Sequence, residues 1–139
     1  VAGLMPVMQE RKERRQSGAQ ERFELFGIVI TDLKSCFDAI SDETAKRLNL
    51  LMTLGRPLGV TIFAAGASED ISKLYHGGEP FTISLVDRSA AILLGGNLRS
   101  HSAFKPDVPY TELENPLSKY EGYFLHDEKA IKFKPVYEE

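Results

Sequence analysis

At 139 residues, 42% hydrophobic and 27% charged, the chain has the size and composition of one globular domain or part of one, with enough length for a sizeable core. A formal net charge of −3 gives no electrostatic footprint for nucleic acid, and no apolar run approaches the roughly 20 residues of a membrane-spanning helix. Cys36 is the single cysteine, which excludes an internal disulfide and fits a reducing compartment.

Residues 5–16 predict a helix, with Pro6 tolerated in its first turn. Arg11, Lys12, Arg14 and Arg15 form a basic run diluted by Glu10 and Glu13, as on a solvated helix face. Ser17-Gly18-Ala19-Gln20 reads as a breaker. The stretch from Phe23 to Asp32 is the centre of the chain. Phe26-Gly27-Ile28-Val29-Ile30 has almost no polar interruption, which predicts a parallel strand covered on both faces. It stops at Asp32, and ligands of open α/β sheets lie beyond the carboxyl ends of such strands.

A short helix over 33–40 follows, with Leu33, Phe37 and Ile40 on one face. A second begins at Ser41, with Asp42 and Glu43 in its first turn and Ala45, Leu48, Leu51, Met52 and Leu54 near helical spacing. Gly55, Pro57 and Gly59 end it, and Val60–Ala65 is a second apolar run of strand length. Ser68–Tyr75 predicts a capped helix ending at Gly77-Gly78. Phe81–Val86 alternates and predicts a third strand, nearer an edge, completing a βαβαβ rhythm. Residues 87–96 fit either a helix or a fourth buried segment, and the helix is the preferred reading. Residues 100–120, with Pro106, Pro109 and Pro116, predict a surface loop. Tyr123–His126, a turn at Asp127-Glu128 and Ala130–Lys134 predict a β-hairpin.

A buried strand ending on an acid is half of a nucleotide-hydrolysis site, in which the acid holds Mg²⁺ and an adjacent glutamate polarises the attacking water. The other half is a glycine-rich phosphate loop with Lys and Ser/Thr, and neither Gly77-Gly78 nor Gly95-Gly96 is followed by that pair. Thr31-Asp32-Leu33 lacks the Asp-Glu pair, so the plain reading is that Asp32 caps the next helix. His76, His101 and His126 have no second ligand at i+3 or i+4 and read as surface histidines. Cys36 reads as a small buried hydrophobe, and Ser35 and Ser89 have no nucleophile-elbow context. The residues alone give an α/β domain with no catalytic and no metal-ligating set. Tyr75, Phe104 and Tyr110, in the loops at 66–80 and 97–120, are aromatics that either cover the sheet edge or dock an amphipathic helix.

The succession of landmarks resembles the second half of an FtsK/SpoIIIE-type P-loop ATPase domain, over nearly the whole chain. Leu4-Met5-Pro-Val-Met8-Gln-Glu10-Arg11 is similar to the helix that precedes the family's Walker B strand, and Ile28-Val-Ile-Thr-Asp32 is similar to that strand. Leu54-Gly-Arg56-Pro-Leu-Gly59-Val-Thr-Ile-Phe63 resembles the entry into the next strand. Phe81–Ser89 resembles the following strand with its Asp-Ser-Arg segment, and Tyr120–Phe124 with Ala130–Pro135 resembles the closing hairpin. Three departures stand out: the lost Asp-Glu pair, Ala64–Ser68 in place of Thr-Gln-Arg-Pro, and Glu121 in place of an arginine.

Such decay, with Ala91–Asn97 and Lys119–Leu125, is most similar to the last ATPase module of the EssC-type coupling proteins of type VII secretion. The resemblance implies a partial RecA-like P-loop fold: a mainly parallel sheet flanked by helices, with a C-terminal β-hairpin. Residues 1–139 would be the second half of the module, without its phosphate-loop half, and the lack of an initiating Met fits an excised piece. Thr31 and Asp32 would be a Walker-B-like remnant. ATP and Mg²⁺ would belong to the intact module and not to this stretch alone. Implied partners are exported WXG-type and LXG-type proteins and neighbouring modules of the same chain, in an oligomer at the cytoplasmic face of the membrane. The implied role is substrate recognition and assembly with little or no hydrolysis. The alternatives are an active translocase motor, of protein secretion or, against the charge, of DNA, and a purely structural remnant.

Overall fold

A computed structural model describes residues 1–18, 22–88, 90–127 and 129–134. Ala19 and Gln20 of the breaker, Ser89, Glu128 of the hairpin turn and Pro135 of the closing segment lie outside the described residues. The chain is mixed α/β and divides into two compact units, Val1–Ala67 and Ser68–Glu139.

The first unit opens with α1 (Leu4–Gln16), followed by β1 (Phe26–Ile30), α2 (Leu33–Ala39), α3 (Asp42–Leu54), a 3₁₀ turn (Arg56–Leu58) and β2 (Val60–Ala64). β1 and β2 pair in parallel from Phe26 opposite Val60 to Ile30 opposite Ala64, joined by the α2–α3 crossover. Both crossover helices start on side-chain caps: Asp32 accepts from the Ser35 N–H, and Ser41 accepts from the Thr44 N–H. The core gathers Met8 of α1, Leu51 of α3, Leu58 and Val60, with Met5, Phe23, Phe26, Ile28 and Ile62 packed on it.

Two sequence expectations are corrected in this unit. The strand predicted to be covered on both faces alternates instead: Ile30 is buried, while Val29 is 69% exposed and its β2 partner Phe63 is 61% exposed. The basic run of α1 is not wholly a solvated face either, because Arg11 is only 8% exposed. Its Nη1 donates to the carbonyls of Glu24 and Leu58, both at 2.8 Å, and its guanidinium lies 4.7 Å from the Phe26 ring centre and 5.2 Å from that of Phe23. Gly59 makes this approach possible. At φ +82° it adopts a backbone state disfavoured for other residues, and a Cβ there would lie 2.8 Å from the Glu24 oxygen and 3.0 Å from Arg11 Nη1.

The second unit holds α4 (Ser68–His76), α5 (Pro80–Arg88), β3 (Ala91–Leu94), a 3₁₀ turn (Leu98–Ser100), α6 (Tyr110–Leu113), β4 (Gly122–His126) and β5 (Lys129–Phe133). The predicted hairpin is β4–β5, and β3 pairs antiparallel on the other side of β4. Leu93, Leu98, Tyr123 and Leu125 form the core, with Phe104, Val108, Leu113 and Leu117 against them.

Here the predicted third strand is a helix. Phe81–Val86 lies within α5, with Phe81 and Thr82 fully buried. Glu79 fixes the helix start: its carboxylate accepts from the Phe81 and Thr82 N–H groups at 3.0 and 2.5 Å and from the Thr82 hydroxyl at 2.6 Å. Pro80 occupies the first helical position, where a missing N–H costs nothing. The helix preferred for residues 87–96 is corrected in turn: only 87–88 are helical, as the end of α5, and Ala91–Leu94 is strand β3. Among the described residues the βαβαβ rhythm therefore stops at two parallel strands, and β3, β4 and β5 form a separate antiparallel sheet.

Candidate functional site

The acid singled out in the sequence stands at the carboxyl end of β1. Thr31 and Asp32 are both exposed. Asp32 Oδ1 accepts from the Ser35 N–H at 3.2 Å, and Oδ2 accepts from the Ser35 hydroxyl at 2.8 Å. These bonds favour the ionised carboxylate, with the Ser35 hydroxyl contributing most, and hold Asp32 below the usual carboxylate range. The next residue, Leu33, is 1% exposed, an apolar side chain turned into the core. The Leu33 N–H donates to the Ala65 carbonyl and the Ala65 N–H to the Ile30 carbonyl, both at 2.8 Å. These bonds bring together Thr31-Asp32-Leu33 and the start of the Ala64–Ser68 segment. A capping acid and an apolar neighbour hold a helix start and retain a negative charge, without a second carboxylate beside Asp32 in sequence.

The second unit carries a cleft of about 740 Å³ between α4, α5, the 103–106 loop and the β4–β5 turn. Tyr75 and Phe104, two of the three aromatics picked from the loops, line it together with Val86, Pro106 and Leu125. The third, Tyr110, lies elsewhere: its hydroxyl donates to Glu114 at 3.1 Å and accepts from Arg99 at 3.3 Å. Charges of both signs line the cleft, Asp87, Arg88, Lys105 and Asp127, together with the His126 imidazole. The Tyr75 hydroxyl donates to Asp87 at 3.2 Å, and this bond to a carboxylate pushes the phenol pKa up. His126 Nδ1 lies 3.1 Å from Asp127 Oδ2, and the imidazole stacks parallel to Phe124. Tyr75 is thus a held, neutral donor–aromatic group, suited to binding rather than nucleophilic attack.

Sequence reasoning did not place Asp87 and Arg88 beside Tyr75, because Phe81–Val86 read as a strand and residues 87–96 as a separate element. The Glu79-Pro80 pair before Phe81 is the signal that identifies the helix and so the placement of Asp87 and Arg88. The three histidines divide. His76 and His126 are exposed, but His101 is buried, with Nε2 3.0 Å from the Gly95 carbonyl, which corrects its reading as a surface residue. That bond fastens the turn after β3, where Gly95 and Gly96 both have positive φ. Cys36 is half-buried. Among the described residues no group of three or more His, Cys, Asp or Glu side chains could hold a metal ion, and no helix is long and apolar enough to cross a membrane.

Comparisons with protein-family models, with curated proteins and with solved structures find no match.

Proposed function

We propose that the chain is the second half of a degenerate RecA-like P-loop module of the FtsK/SpoIIIE type, most similar to the last module of an EssC-type secretion coupling protein. Its role is substrate recognition and assembly, with little or no ATP hydrolysis of its own. One observation carries the reading: Asp32 lies just beyond the carboxyl end of a parallel strand, as a Walker B acid would, yet it caps α2 through Ser35 and is followed by buried Leu33. The parallel β1–β2 pair supports the partial-fold element, since such pairs normally sit inside wider sheets covered on both faces. The cleft at Tyr75 and Phe104 supports the recognition element, because mixed apolar and charged lining residues fit side chains of an exported WXG-type or LXG-type amphipathic helix. On this reading the module works at the cytoplasmic face of the membrane, beside sister modules, and any ATP and Mg²⁺ are held by the intact module.

The test is hydrolysis by the intact module, including the segment that precedes Val1. Mg²⁺-dependent turnover at or near background, unchanged in Asp32→Ala, is the expected result, and turnover that collapses in that variant overturns it. Candidate substrate segments are expected to be retained by the intact module and lost on Phe104→Asp. The second reading, an active translocase motor, is favoured by the exposed, readily ionised Asp32 carboxylate at the carboxyl end of a parallel strand.

A further inference from the structure

The first unit carries a second concave surface that the functional reading does not use. A groove of about 320 Å³ runs between the last turns of α1 and the corner where α3 passes into its 3₁₀ turn. Leu54, Pro57 and Leu58 form its apolar part, and Lys12, Arg15 and Gln16 of α1 form the polar side. Arg15 is fastened in place by donating Nη1 to the Pro57 carbonyl, which leaves the other donors of its guanidinium fork outside that bond. No Asp or Glu is among the described residues that line the groove. Along α3, Leu50 and Leu54 are both exposed and one turn apart, so an apolar stripe leads into the groove.

We propose that this groove docks an acidic amphipathic helix of a partner protein, with an apolar side chain against Leu54, Pro57 and Leu58 and flanking carboxylates on Lys12 and Arg15. Charge complementarity selects the occupant. Two cations beside an apolar depression in a chain of net charge −3 form a local positive site that attracts carboxylates. Leu50 and Leu54, exposed one turn apart on α3, extend the apolar contact available to such a helix beyond the groove itself. A lipid surface is less well matched, since polybasic membrane sites gather about four to eight Lys or Arg.

The test uses the whole chain and a labelled four-turn helical peptide with leucines on one face and glutamates on the other, followed by fluorescence anisotropy. Saturable binding is expected, weakened about tenfold by Lys12→Glu and again by Leu54→Asp, and weakened by added salt. Both positions are exposed, and circular-dichroism melts confirm that the variants fold; Leu54→Gln is the second choice if the aspartate variant does not. Absence of binding overturns the proposal. So does binding indifferent to both substitutions, or equal binding of a lysine-for-glutamate peptide. Chain that instead sediments with phosphatidylserine vesicles, and loses this on Lys12→Glu, also overturns it and reassigns the groove to membrane.

Discussion

Val29 stands directly opposite Phe63 in the β1–β2 register, and both side chains lie on the face of the pair that meets solvent. An apolar cross-strand pair stabilises a sheet when it is covered, but in water it leaves sticky surface. The chain by itself is therefore expected to bind a hydrophobic dye and to self-associate as its concentration rises. The double variant Val29→Thr, Phe63→Ser should lower both signals in dye fluorescence and sedimentation, with stability changed by no more than about 0.5 kcal/mol.

Arg11 ties α1 to the chain entering β1 and to the 3₁₀ turn before β2. Its removal leaves the Glu24 and Leu58 carbonyls short of a charged donor. Arg11→Met should cost about 2–4 kcal/mol in urea unfolding, and Arg11→Lys should recover only part, because an ammonium cannot present the same planar fork to Phe26. Gly59→Ala should destabilise by about 2 kcal/mol or more, since the added methyl meets backbone at Glu24 and the residue keeps its positive φ.

The crossover helices offer a separate test. Ser41→Ala removes the oxygen that receives the Thr44 N–H and should cost about 1 kcal/mol. Asp32→Ala should lower Tm in the same direction, while Asp32→Asn keeps an acceptor for the Ser35 N–H and should hold most of the wild-type Tm. An acid retained only for metal would show no such split between Asn and Ala.

Glu121 accepts from the Ser118 N–H at 2.8 Å and pairs with Lys132 at 3.0 Å. Ser118 contributes most, and together these groups lower its pKa from an ordinary 4.5 to about 2. A depressed carboxyl pKa stabilises the fold above the ordinary value, and that contribution fades as pH falls from 4.5 toward 2. Glu121→Gln should melt earlier than wild type at neutral pH, and the gap in Tm should close as pH approaches 2.

Elements that announce themselves locally were readable without coordinates. The caps at Asp32 and Ser41, the glycine and proline stop after Leu54 and the β4–β5 hairpin each rest on neighbours in sequence. The two exchanged elements of the second unit show what was not readable. Phe81-Thr-Ile-Ser-Leu-Val has a strand's alternation, yet the Glu79 cap and Pro80 start a helix that buries Phe81 and Thr82. Ala91-Ile-Leu-Leu has helix-forming composition, yet pairing with β4 draws it into a strand, a tertiary gain that propensity does not contain. At the candidate site, the link between Asp32 and Ser35 followed from capping rules. The meeting of Tyr75 with Asp87 did not, because it depends on packing α4 against α5.

The two sheets close their chain loops on very different scales. In β4–β5, His126 meets Lys129 across a turn, whereas in the parallel pair Phe26 meets Val60 only after α2 and α3 have been traversed. Hairpins form in about 1–10 μs, while nonlocal pairing must first overcome the entropy of a long closure. The antiparallel sheet should thus gain hydrogen-exchange protection early in refolding. The β1–β2 ladder, which carries Asp32 at its end, should be the late and rate-limiting step.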